Sequence, residues 1–180
     1  MSRILSCVLL FCAASSAVTL RQMSMDEMTA SATAIVRARV TGSSTSLIGS
    51  TIYTHYKLQV SETWKGSPAT EVLLPGGIAS GLRQSFPGVP QLQTGSEYVL
   101  FLWTSSTTGI THIIGFSQGI FNVSPQADGS ILVSRPAGGE NMLDATGRVV
   151  RDQAVAMKLT NMKSRVSQPS TGAHPTGAQQ

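Results

Sequence analysis

Six consecutive apolar residues, Tyr98-Val99-Leu100-Phe101-Leu102-Trp103, most constrain what this chain can fold into. Successive side chains on a strand point to opposite faces, so a strand with no polar position must be covered on both sides. These six residues therefore predict the central strand of a sheet with apolar layers above and below. Around them, alternating patterns mark half-buried strands. Val36, Ala38 and Val40 alternate with Arg37 and Arg39, and Ile52, Thr54, Tyr56, Leu58 and Val60 alternate with Tyr53, His55, Lys57 and Gln59. Continuing the second pattern would bury Glu62, so that strand is expected to end or bulge near Ser61. After the turn Lys65-Gly66-Ser67-Pro68, short strands follow at Val72 to Leu74, Ile110 to Ile114, Gly119 to Val123 and Ile131 to Val133. The last two are joined across Asp128-Gly129, a strong hairpin turn signal.

Two helices frame the strands. Ser24-Met25-Asp26-Glu27 has the spacing of a capping box, in which Ser24 caps the helix and Glu27 reaches back, and it predicts a helix from Met25 to about Thr33. A second helix is expected between Arg148 and Met162. The Ser-, Thr- and Gly-rich run Thr41 to Ser50 reads as a flexible loop. The fold expected from these patterns is mainly β: one antiparallel, barrel-like sheet of five to seven strands over residues 18–147, with Tyr56, Leu58, Leu100 and Leu102 in its core. A basic tail, partly helical and then disordered, is expected over residues 148–180, because Ser167 to Gln180 has too little apolar content to bury.

The first seventeen residues read as a secretion signal, with Arg3, an apolar run from Ile4 to Ala14 and small residues Ser15-Ser16-Ala17 before Val18. Both cysteines, Cys7 and Cys12, lie inside it. Lipid anchoring at Cys12 is disfavoured by the bulky Phe11 before it. The expectation is a secreted or periplasmic protein without thiols after processing, hence without disulfides or thiolate metal sites. The formal charge of +4 does not imply nucleic-acid binding. Residues 18–147 carry seven basic against eight acidic side chains, so the body lacks a basic stripe to follow a phosphate backbone.

The stretch Pro75 to Pro90 is the most distinctive candidate site. It holds four glycines and three prolines, together with Ile78, Leu82, Phe86 and Val89. These apolar side chains are expected to pin a shaped loop to the body, leaving Arg83 and Gln84 pointing outward. The candidate binding residues are Arg83, Gln84 and Phe86, with Gly76 and Gly77 setting the backbone. Trp64 is expected to cover one end of the core or to stack on a ligand. The loop could equally plug an open end of the barrel, with Arg83 bonding local carbonyls.

The segments Ala34-Ile35-Val36-Arg37-Ala38-Arg39-Val40, Trp64-Lys65-Gly66, Leu74-Pro75-Gly76-Gly77, Gly81 to Pro90, Gly95 to Trp103 and Gly115 to Phe121 together resemble a group of uncharacterised secreted bacterial proteins. The resemblance covers about residues 25–136 and implies no activity. In architecture the chain is also similar to OB-like barrels, as in netrin-like modules and tissue metalloproteinase inhibitors. Those inhibitors chelate zinc through an N-terminal cysteine, which the processed chain would lack.

Catalytic motifs are weak. His55 and His112 stand on different strands with no ligand-spaced neighbours, and no serine stands in a Gly-x-Ser-x-Gly elbow, although a triad can assemble in space without one. Pro75-Gly76-Gly77 lacks the ending of a phosphate loop. No cofactor and no metal are expected. The function these features predict is a non-enzymatic binding module for a protein or cell-envelope polymer. The alternative is an extracytoplasmic hydrolase, or a hydrolase accessory or inhibitor, which a clustered Ser/His/acid site would favour.

Overall fold

The computed structural model describes residues 19–168. The secretion signal, Cys12 and the run after Gln168 lie outside the described residues. In chain order the elements are β1 (Thr19–Arg21), α1 (Met25–Ser31), β2 (Ala34–Ile48), β3 (Thr51–Lys65), β4 (Glu71–Pro75), β5 (Gly77–Ala79), β6 (Leu82–Gln84), β7 (Glu97–Thr104) and β8 (Thr111–Ile113). A 3-10 turn (Phe116–Gly119) precedes β9 (Ile120–Pro125), β10 (Ile131–Arg135), β11 (Asn141–Leu143), β12 (Val149–Arg151), β13 (Val155–Lys158) and α2 (Leu159–Ser167).

The main sheet is antiparallel in the order β13-β10-β9-β7-β2-β3-β4. One edge of β7 pairs with β2; along the other, β9 takes Tyr98 to Leu100 and β8 takes Leu102 to Thr104. That central place is why β7 is apolar on both sides. Its Leu100 and Leu102 join Val36, Tyr56, Leu58 and Leu74 inside the curl of the sheet. Its Val99 and Phe101 face the opposite way, under α1 and α2 with Met28, Met162 and Val166. The four core residues expected from sequence are all buried. β4 and β8 approach each other, but no ladder joins them among the described residues. The sheet is thus curled and open among the described residues, and falls short of the single OB-like barrel expected. Closure fails because β7 divides one edge between β8 and β9, and β8 is only three residues long.

The capping box forms as its spacing predicts: Glu27 N–H donates to Ser24 Oγ at 3.1 Å and Ser24 N–H to Glu27 Oε2 at 2.8 Å. The expected bulge falls at Ser61, because Ala38 pairs with Val60 while Arg37 pairs with Glu62. It turns Glu62 away from the core and toward Arg37. At the end of β3, Gly66 adopts φ +66°, and a Cβ there would lie 1.8 Å from the Thr33 carbonyl oxygen, so only glycine fits. Two expectations fail. Thr41 to Ser50 is not a loop, since β2 continues to Ile48 and pairs with β3 to the tip. The region from Arg148 to Met162 is not one helix: it gives β12 and β13 before α2 begins at Leu159. A small sheet, β1-β11-β12, lies in a region where the sequence showed no core signal, and it buries Met142 completely.

Glu62 ties α2 to the sheet. Lys163 Nζ donates to it at 2.6 Å, Trp64 Nε1 at 3.1 Å and Arg37 at 3.0 Å. These bonds, Lys163 first, outweigh burial and pull its carboxyl down to about 2. A folded-state value below the unfolded one stabilises the protein above about pH 5, and that contribution is lost as pH falls toward 2. Since the carboxylate is partly solvated, urea melts should show a loss of about 1–2 kcal/mol from this group between pH 5 and pH 2.5. Glu62→Gln should flatten that slope; an unchanged slope would remove Glu62 as its source.

Candidate functional site

The loop after β4 folds into a second, smaller hairpin, β5–β6, laid against the end of β2–β3. Its two turn residues, Ser80 and Gly81, take φ +52° and +75°, the left-handed pair of a tight hairpin turn. Gly76 N–H donates to the Ile52 carbonyl at 2.7 Å, Thr54 Oγ1 to the Gly76 carbonyl at 2.8 Å, and Thr45 Oγ1 to the Ile78 carbonyl. A side chain on Gly77 would collide with Thr45 and Thr54, whose nearest atoms lie 2.8 and 2.9 Å from a built Cβ. Gly76 and Gly77 therefore serve close packing of backbone on strand.

Gln84 is not free, contrary to expectation. Its amide accepts from Ile52 N–H at 2.7 Å and donates to the Ser50 carbonyl at 2.8 Å, so it latches the two hairpins together. That bond pair does the anchoring assigned from sequence to the apolar side chains. Of those, only Val89 packs on the core. Ile78, Leu82 and Phe86 are 59%, 60% and 41% exposed. Arg83 is exposed, with no ion pair among the described residues, and it pairs across β5–β6 with Ile78. Leu47 and Ile48, at the neighbouring tip, are exposed as well. Sequence reasoning missed these two by reading their segment as a loop.

The tip thus combines four exposed apolar side chains, Leu47, Ile78, Leu82 and Phe86, and one cation, while Ile48 faces the opposite side of β2–β3. No acidic residue occurs from Met28 to Ser61 or from Val72 to Ser96, so the tip of β2–β3 and the whole of β5–β6 are free of carboxylates. The cavity under Phe86, between Thr54, Tyr56 and Gln84, measures about 80 Å³, too small for an organic ligand. What the tip offers is a surface. Trp64 lies elsewhere, packed against the α1–α2 side of the sheet with its indole N–H bonded to Glu62.

Of the two strand histidines, His112 stacks on the half-exposed Trp103, ring centroids 6.4 Å apart. His55 lies in a row with two other side chains on the outer face of β2–β3–β4. Its Nε2 is 2.7 Å from Ser46 Oγ and its Nδ1 is 3.2 Å from Glu71 Oε2. Among the described residues no three His, Cys, Asp or Glu side chains come together as metal ligands, and no helix is long and apolar enough to cross a membrane. No family model matches the chain, and no curated protein matches it.

Proposed function

We propose that the protein is an extracytoplasmic interaction module whose working surface is the tip formed by the β2–β3 and β5–β6 hairpins. We read the curled half of the sheet as an OB-like barrel left open between β4 and β8, with its loops at the binding end, as such modules carry them. One observation carries the proposal: Ile78, Leu82 and Phe86 face water beside Leu47, although the loop is already held by Gln84 and Val89. Clustered exposed apolar side chains on a rigid, hydrogen-bonded support mark interaction surfaces. The partner that fits is a mainly apolar segment of a secreted or envelope protein with an acceptor for Arg83.

Capture from an envelope extract tests it. Leu82→Asp and Ile78→Asp should reduce recovery of a wild-type partner at least about tenfold, through the lost apolar contact, while leaving the melting curve in place. Arg83→Ala should also keep the curve. Gln84→Ala should lower stability by about 1–3 kcal/mol, because Ile52 N–H and the Ser50 carbonyl lose their partner. Undiminished capture by both aspartate variants would refute the assignment of the surface.

A further inference from the structure

We propose that Ser46, His55 and Glu71 form a nucleophile, a general base and its positioning carboxylate, able to hydrolyse small neutral esters. This goes beyond the interaction module and does not depend on it. The three residues come from three adjacent strands, and the ladders bring them together. His55 is directly opposite Ser44 on β2 and Leu73 on β4, so Ser46 and Glu71, each two residues along, are its diagonal neighbours on the same face.

Diagonal neighbours often share a hydrogen bond, but three features here suit catalysis. The first is polarity. Glu71 Oε2 stands 3.2 Å from His55 Nδ1, so a proton on Nδ1 is favoured electrostatically and leaves the Nε2 lone pair for the Ser46 hydroxyl at 2.7 Å. That is the tautomer a general base needs.

The second is a backbone donor beside the nucleophile. Ile52 N–H and C=O turn away from β2, to Gln84 and Gly76, so the Leu47–Ile52 pair is the non-bonded kind. Leu47 N–H therefore points to the open edge of β2, whose pairing with β7 ends at Arg39. The amide following a nucleophilic serine is a common oxyanion donor.

The third is room for an acyl group. An open cleft of about 470 Å³ adjoins His55 and Glu71, walled by Ile48, Ala69, Leu73 and Ile110. Its lining carries no lysine or arginine, so it fits an uncharged aliphatic acyl chain.

In the reaction Ser46 Oγ attacks the ester carbonyl carbon while its proton passes to His55 Nε2. Collapse of the tetrahedral adduct breaks the bond to the leaving alkoxide, which takes that proton from Nε2. Water then adds to the acyl-serine, giving up a proton to Nε2, and the carboxylic acid leaves as Ser46 Oγ recovers its proton. Glu71 touches no reacting atom and acts by holding the imidazole.

The test treats the full-length chain with a fluorophosphonate probe and, separately, with p-nitrophenyl butyrate. We expect the wild type to be labelled at Ser46, located by peptide mass spectrometry. Ser46→Ala should abolish labelling and His55→Gln should slow it at least about 100-fold. Ser44→Ala should leave it unchanged. Glu71→Gln should lower kcat for the butyrate ester about tenfold or more at unchanged KM, a split that a merely structural carboxylate would not produce. All four side chains lie on an outer sheet face, so melting curves should overlay; should His55→Gln not fold, Ser46→Ala decides alone through the loss of ester hydrolysis. No label at Ser46 in the wild type, or equal labelling in a folded His55→Gln, overturns the proposal.

Discussion

Phe101→Ala is expected to lower the unfolding free energy by about 3–5 kcal/mol, the largest effect of any single truncation proposed here. Phe101 has no exposed surface and sits at the middle of β7, its ring 5.7 Å from that of Phe121 and tilted by 54°. Removing it opens a cavity between the sheet and the two helices, lined by side chains held on three different elements. Strands fixed on both edges cannot close that gap, so the loss combines the transfer term with an unrelaxed cavity. Guanidinium melts should show a lower midpoint with an unchanged slope. A loss under about 1 kcal/mol would mean that the helices do not cover this face of the sheet.

The second large effect is expected for Met162→Ala, at about 2–4 kcal/mol. Met162 is wholly buried, with Leu159 and Val166 one turn to either side on the same stripe of α2. Lys163 on the same helix binds Glu62 and Arg165 binds Asp26 of α1, so the helix is fixed by packing and by two solvated ion pairs. The packing dominates, and Lys163→Ala should cost only about 1 kcal/mol. Equal losses from the two variants would reverse that ranking.

What could be read from the sequence follows the physics of each segment. Tyr98 to Trp103 was legible because only a doubly covered strand has no polar position, and Ser24 to Glu27 because a capping box is a local bonding pattern. The bulge at Ser61 was legible because Glu62 could not be buried in register. Thr41 to Ile48 was not. Its Ser and Thr side chains have no apolar alternation, and it is a strand because β3 supplies a partner along its whole length. That misreading hid Leu47 from the candidate surface and Ser46 and Ile48 from His55. The two-residue turn Gly49-Ser50 held the missing information, since it sets Ser46 opposite Tyr53 and diagonal to His55. α2 was misplaced because Val150, Ala154, Met157 and Leu159 do not share one helical face. The true stripe is Leu159, Met162 and Val166. The loop anchors were misassigned because an amide can do by two hydrogen bonds what apolar side chains were expected to do by burial.

The central claim is that the tip, and no other face, meets a partner. The most direct measurement places a photoreactive benzoylphenylalanine at Leu82 and, as a control, at Val149, which is 69% exposed on β12. After illumination in an envelope extract, Leu82 should give a discrete cross-linked species that Ile78→Asp removes, and Val149 should give none. The same species from both positions, or none from Leu82, would contradict the account.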